Sequence, residues 1–151
     1  MIDDLDRIMA VMEVAFDPQW GEAWNRRQIE GSLVLPTTHY RLLGSDGQSP
    51  ADGEPAAAFA LVRAAPGEEE LLLIGVVPEE RRRGLGAQLL EILCEDARAR
   101  AADRLFLEMR ENNPAQRLYR ACGFHPIGRR KEYYKTSDGM RIDAITFAKS
   151  L

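Results

Sequence analysis

Between Leu71 and Ala101 the hydrophobic pattern changes its period within one short stretch, and few folds accommodate such a change. LLLIGVV, from Leu71 to Val77, is a nearly continuous apolar run, the pattern of a strand covered on both faces. From Gly84 to Ala101 the period becomes helical: Leu85, Leu89, Leu93 and Ala97, flanked by Leu90 and Ile92, form one apolar stripe opposite a charged face. DRLFLEMR then returns to a strand. Strand, helix and strand in this order describe a crossover at the centre of a sheet.

The flanking segments extend that unit in both directions. From Asp3 to Phe16, Leu5, Ile8, Met9, Met12 and Ala15 follow helical spacing, and Pro18 disfavours helix at Asp17. A second, less regular helix is expected from about Gly21 to Gly31, with PQW as a tight connection carrying Trp20. TTHYRLL and AAAFALVRA are strand patterns joined by GSDGQSPADGEP, a hairpin loop dense in turn residues. PAQRLYRACGF is a short helix, with Pro114 suited to its first turn and Gly123 to its end. RRKEYYKT and MRIDAITFAK are strands joined by a Ser-Asp-Gly turn. The expected architecture is an α/β sandwich with a mixed sheet, antiparallel at its ends, in one domain over residues 1–151.

Composition narrows the function. A 45% hydrophobic and 29% charged content belongs to a globular protein, and a formal net charge of -4 argues against a nucleic-acid binder that works by bulk phosphate neutralisation. Cys94 and Cys122 make no disulfide framework, and no Cys/His cluster suggests a metal, so they are expected to be small buried hydrophobes. His39 is assigned a structural role. The acidic N-terminus is unlike a signal peptide, and no apolar run approaches the roughly 18 residues that span a membrane. A cytoplasmic location without membrane or nucleic-acid partners is the expectation, as a monomer or weak homodimer.

EERRRGLGAQLL, from Glu79 to Leu90, places three arginines and two glycines at a helix start. A glycine turn between strand and helix leaves backbone N–H groups without intrahelical partners, aimed where the helix dipole also favours negative charge. Gly84 and Gly86 lack the Cβ atoms that would hold an anion off the backbone, and Arg81, Arg82 and Arg83 can add charge-assisted contacts. The spacing matches neither GxxxxGK[ST] nor GxGxxG.

Arg81, Gly84 and Gly86 match [QR]-x-x-G-x-[GA], and here the chain resembles the GNAT superfamily of N-acetyltransferases. VVPEERRRGLG, LFLEMRENNPAQRLYRACGF and RRKEYYKTSDGMRIDA together look like its RimI type, the ribosomal-protein-alanine N-acetyltransferases, over roughly residues 71–147. The resemblance implies a mixed central sheet of about six to seven strands flanked by about four helices. It also implies acetyl-CoA as cosubstrate and no metal. Its pyrophosphate would lie in the loop Arg81–Ala87, including Leu85 and Ala87, and its pantetheine arm along the backbone of Ile74, Gly75, Val76 and Val77.

By the same resemblance Glu108 matches the general base and Tyr119 the general acid that protonates the departing thiolate. A carboxylate can take the proton of an attacking amine directly or through water, and a phenol is weakly acidic near pKa 10. No covalent intermediate is needed, so Cys122 need not be a nucleophile. The competing readings are a solvated edge or an Arg110 salt bridge for Glu108, and a core packing role for Tyr119. The family's asparagine falls on Asn112 counted back from Tyr119 and on Asn113 counted forward from Glu108; Asn112 is favoured because helix geometry fixes its distance to Tyr119.

For the acceptor, the resemblance places Tyr133 and Tyr134 beside a peptide-entry groove with Trp20 on its other side, and acidic Glu22 and Asp138 would favour a basic tail. An N-terminal amine, with a pKa of about 7.7–8.0, is neutralised at pH 7 for about 1 kcal/mol, against about 4.6 for lysine, so one carboxylate suffices. The expected acceptor is a protein or peptide N-terminus. A small-molecule amine acetyltransferase and a non-catalytic acyl-CoA-binding regulator are the alternatives.

Overall fold

The computed structural model describes residues 2–151 and shows why the chain breaks into elements where it does. Helix α1, Asp4–Ala15, is started by a capping box in which the side chains of Asp3 and Asp6 each accept from the other's backbone N–H. Its buried face is Ile8, Val11 and Met12. A 3-10 turn, Pro18–Trp20, follows, capped by Asp17 and ended by Gly21 at φ 62. Helix α2 runs Arg26–Leu33 rather than from Gly21, because a second capping box between Asn25 and Gln28 fixes its start. Strands β1, Thr38–Leu43, β2, Ala58–Ala65, and β3, Glu68–Val76, form an antiparallel meander. Helix α3, Leu85–Ala99, then crosses to β4, Arg104–Arg110, which is parallel to β3. Helix α4 is Gln116–Ala121, preceded by the turn that holds Pro114, and β5, His125–Lys135, and β6, Arg141–Ser150, close the chain as a hairpin.

The single sheet has the order β1-β2-β3-β4-β6-β5. Its two faces carry separate cores. One packs Leu85, Leu89, Leu90 and Leu93 of α3 with Tyr119 and Phe124; the other packs Ile8, Val11 and Met12 of α1 with Ile29 of α2. Among the described residues no helix is long and apolar enough to cross a membrane.

Two irregularities position the site. Leu61 pairs with Leu73 but Val62 with Leu71, so Leu72 is an extra residue in β3. Without that bulge Leu71 and Leu73 would share a face. With it, Leu71 joins the α3 core and Leu73 the α1 core. Beyond the bulge, β3 and β4 separate: their parallel pairing covers only Glu68–Glu70 against Arg104–Phe106. Glu69, 2% exposed, closes the tight end of this wedge by accepting two hydrogen bonds from Arg100 at 2.8 and 2.7 Å.

Candidate active site

The wedge between β3 and β4 opens into a cleft of about 1000 Å³. One wall is the free edge of β3 from Leu71 to Val76, the other is β4 from Leu107 to Arg110, and the start of α3, the turn before α4 and the segment Phe16–Trp24 contribute the rest. Val77 lies outside it, its N–H held by the carbonyl of Ala57 at 2.9 Å.

At the glycine end, Gly84 sits at φ 83 as the first residue before α3. The earliest internal bond of the helix is from Gln88 N–H to Gly84 O, 2.9 Å, leaving the N–H groups of Leu85, Gly86 and Ala87 to point out of the helix start beside the cleft. That donor set fits a pyrophosphate. A Cβ on Gly84 would touch no protein atom within 4 Å, so within the chain its need for glycine is conformational. Gly84→Ala is expected to lower stability by about 1–2 kcal/mol through left-handed backbone strain; an unchanged urea midpoint would refute this. Gly86 has a packing task as well: a Cβ there would lie 3.1 Å from Leu118 Cδ2, so its bare backbone lets α3 approach α4. Gly75 likewise admits α1, since a Cβ would lie 3.0 Å from Phe59 and 3.1 Å from Ala15.

The three arginines divide. Arg81 is a brace, its Nε donating to Val76 O at 3.2 Å and its Nη2 to Ala15 O at 2.7 Å, which ties α1 and β3 to the loop. Arg83 pairs with Glu80 at 3.1 Å and is not part of the cleft wall. Arg81 and Arg82 both line the cleft, Arg82 with its backbone at φ 65.

Glu108 and Tyr119 both line the cleft. Glu108 lies on β4 opposite Thr146, and its ion pair runs to Arg130 of β5 at 3.1 Å, not to Arg110 as the sequence alternative had it. Tyr119, on α4, is 5% exposed and packs edge-on to Phe124 with ring centroids 6.0 Å apart. Burial pushes its hydroxyl above the ordinary phenol range, and the charge of Glu22 adds to the shift. Asn112 and Asn113 also line the cleft; Asn112 Oδ1 accepts from Arg110 at 2.8 Å, while Asn113 Oδ1 caps the turn before α4 by accepting from Ala115 N–H at 2.9 Å.

Of the acceptor-side residues, Trp20, Glu22 and Tyr134 line the cleft, and Tyr133 and Asp138 do not. Tyr133 backs Tyr134 edge-on at 5.2 Å and carries the Arg130 guanidinium over its ring at 5.0 Å. Asp138 is spent on the β5–β6 turn, where it accepts from Thr136 Oγ1 and Met140 N–H. The Tyr134 hydroxyl is pushed up to about 12, first by burial and then by the negative charges of Glu108 and Glu22. Burial also raises the thiols of Cys94 and Cys122, neither of which lines the cleft. Sequence reasoning missed Trp24 and Arg110 in the wall. For Arg110 a signal existed, since it stands two residues after Glu108 on a strand and so shares its face.

A family model described as acetyltransferase (GNAT) family matches residues 5–124. The ribosomal protein bS18-alanine N-acetyltransferase of Escherichia coli K12 is 42% identical over 93 residues, 61% of this chain and 62% of its own length. The chain thus matches less than two thirds of that relative. The N-alpha-acetyltransferase RimI of Mycobacterium tuberculosis is 36% identical over 141 residues, covering 93% of this chain and 80% of the relative. Among solved structures, the ribosomal-protein-S18-alanine N-acetyltransferase from Escherichia coli superposes with a TM-score of 0.77 at 29% identity, over 99% of this chain and 90% of the other.

Proposed function

The chain belongs to the acetyltransferase (GNAT) family, and from that premise we propose that it transfers the acetyl group of acetyl-CoA directly to the N-terminal α-amine of a protein, in a ternary complex. The observation that carries this reading is that one cleft, opened by the divergence of β3 and β4, holds Glu108 on its β4 wall and Tyr119 on α4 together with a helix start whose first N–H groups have no intrahelical partner.

Acetyl-CoA supplies an acyl group activated as a thioester. Leu85, Gly86 and Ala87 offer backbone N–H groups to its pyrophosphate, and the unpaired edge of β3 offers backbone groups to its pantetheine arm. Glu108 takes one proton from the bound ammonium, directly or through water; the neutral nitrogen then attacks the acyl carbon and loses its second proton to solvent as the amide forms. Tyr119 donates its phenolic proton to sulfur as the carbon–sulfur bond breaks. The products are an acetylated amine and a free thiol, and the proton leaves from Glu108 and is restored to Tyr119 through solvent. Glu22 and Glu108 give the acceptor end two carboxylates, which suits an ammonium-bearing chain.

A thiol-release assay over a panel of amines tests the reading. Turnover of Ala-initiated peptides, with polyamines and free lysine inert, is the expected result. Turnover of the small amines alone would make it a small-molecule enzyme, and binding of CoA without thiol release from any amine would make it a regulator.

A further inference from the structure

We propose that Arg110 reads the first carbonyl oxygen of the acceptor, and that this contact selects α-amines of peptides over amines that lack a neighbouring carbonyl. The inference rests on the peptide-acceptor reading above.

Arg110 ends β4, two residues beyond Glu108 and on the same face of the strand. Its side chain is 9% exposed. Three neighbours fix it without satisfying it. Nη1 donates to Asn112 Oδ1 at 2.8 Å, and the guanidinium carbon lies 4.0 Å from the centroid of the Trp20 ring. Glu22 Oε1 comes within 3.5 Å of Nε, close enough for charge attraction, yet Nε makes no hydrogen bond with it. Arg110 Nε is the one buried side-chain nitrogen or oxygen without a hydrogen-bond partner among the described residues.

A guanidinium N–H removed from water and left unpaired is costly, and here it belongs to a residue of the cleft wall. A ligand entering the cleft can supply the missing acceptor atom. The chemistry around Nε specifies which kind. Glu22 stands beside it, so a second carboxylate or a phosphate would be repelled, whereas a neutral carbonyl oxygen would not. The position specifies which carbonyl. A strand rise of about 3.4 Å per residue sets the Cα atoms of Glu108 and Arg110 about 7 Å apart. The amine nitrogen and carbonyl oxygen of one aminoacyl unit lie about 3 Å apart, and a hydrogen bond of about 2.8 Å at each end lets that unit bridge two groups on neighbouring same-face positions, its amine toward Glu108 and its carbonyl oxygen toward Arg110. A lysine side chain or a polyamine carries methylenes where the oxygen should be, and would leave Nε unpaired in the complex. Sites built to hydrogen-bond a substrate group reject the analogue lacking it far more strongly than apolar pockets reject a missing methylene.

The test compares an Ala-initiated peptide with the same peptide whose first amide is replaced by a trans-alkene, which keeps shape and removes the oxygen. Rates are compared at equal concentrations of neutral amine. The wild-type protein is expected to favour the amide in kcat/KM by more than tenfold. In Arg110→Met the preference falls to within about threefold. A purely structural role would slow both substrates equally and leave the ratio intact, and that result overturns the proposal. Should Arg110→Met fail to fold, the wild-type ratio decides alone: a value near one overturns it, and a value above ten supports it. Absence of turnover with either peptide removes the acceptor reading and this inference together, whereas equal turnover of both removes only the inference.

Discussion

Glu108→Gln is expected to lower kcat on an Ala-initiated peptide by about 10²–10⁴-fold at pH 7, the range that a positioned general base supplies. The substitution isolates the chemistry because glutamine is isosteric and its amide oxygen can still accept from Arg130, so the 3.1 Å contact across β4 and β5 survives as a hydrogen bond. Acetyl-CoA affinity should not change, since it depends on the loop from Gly84 to Ala87. The variant also has a diagnostic pH dependence. Without a base, only amine already neutral in solution reacts, so the residual rate rises about tenfold per pH unit and levels off near the amine's own pKa of about 7.7–8.0. The wild-type protein should rise less steeply over that interval, because Glu108 removes the proton within the complex. Full activity of Glu108→Gln at pH 7 would end the assignment. A loss with the same pH slope as the wild type would make Glu108 a positioning group for Arg130 instead.

How much of this was legible beforehand differs from residue to residue, and the reason is the range of the interaction involved. The order of elements could be read because hydrophobic period, capping residues and turn glycines act over a few neighbours. Gly84 and Gly139 take the left-handed backbone that their turns require, at φ 83 and 86. What depends on pairing between distant strands was not legible. The extra residue Leu72 exists only relative to β2, and it decides which leucines of LLLIGVV face which core. The Glu69–Arg100 pair joins residues 31 apart. The opening between β3 and β4 is an absence of pairing that no local pattern announces.

The candidate site follows the same division. Glu108 and Tyr119 came from the family resemblance, and the fold brings both to one cleft. Of two adjacent tyrosines on a strand only one can face the cleft, because successive side chains alternate between the two faces. Arg130 pairs with Ala144 but Tyr134 with Ile142, and Glu132 between them sits at φ 53 with its N–H on Asp143 Oδ1 at 2.8 Å. The two extra residues keep the alternation in step, and Tyr134 lines the wall while Tyr133 does not. Arg81 shows the converse. It lines the cleft, and its side chain also donates to the Val76 and Ala15 carbonyls, a brace visible only once α1 is packed beside β3.

Tyr119→Phe should fold as well as the wild type and turn over about 10²–10⁴-fold more slowly. The first half follows from the packing: the ring keeps its edge contact with Phe124, and its hydroxyl faces the cleft rather than a hydrogen-bond partner among the described residues. Stability should therefore move by no more than about 0.5 kcal/mol. The second half follows from the proton that sulfur needs as the carbon–sulfur bond breaks. Burial and the charge of Glu22 both disfavour the phenolate, so the hydroxyl keeps its proton to above pH 10 and is available across the working range. The sign yields a second observable. A raised pKa means that alkaline loss of wild-type kcat, if measured near pH 10, cannot come from Tyr119, and the high-pH limb should have the same shape in wild type and Tyr119→Phe. An alkaline limb that disappears in the variant would show that the tyrosine ionises in that range, and an unchanged kcat at pH 7 would return Tyr119 to the packing role that its burial alone would suggest.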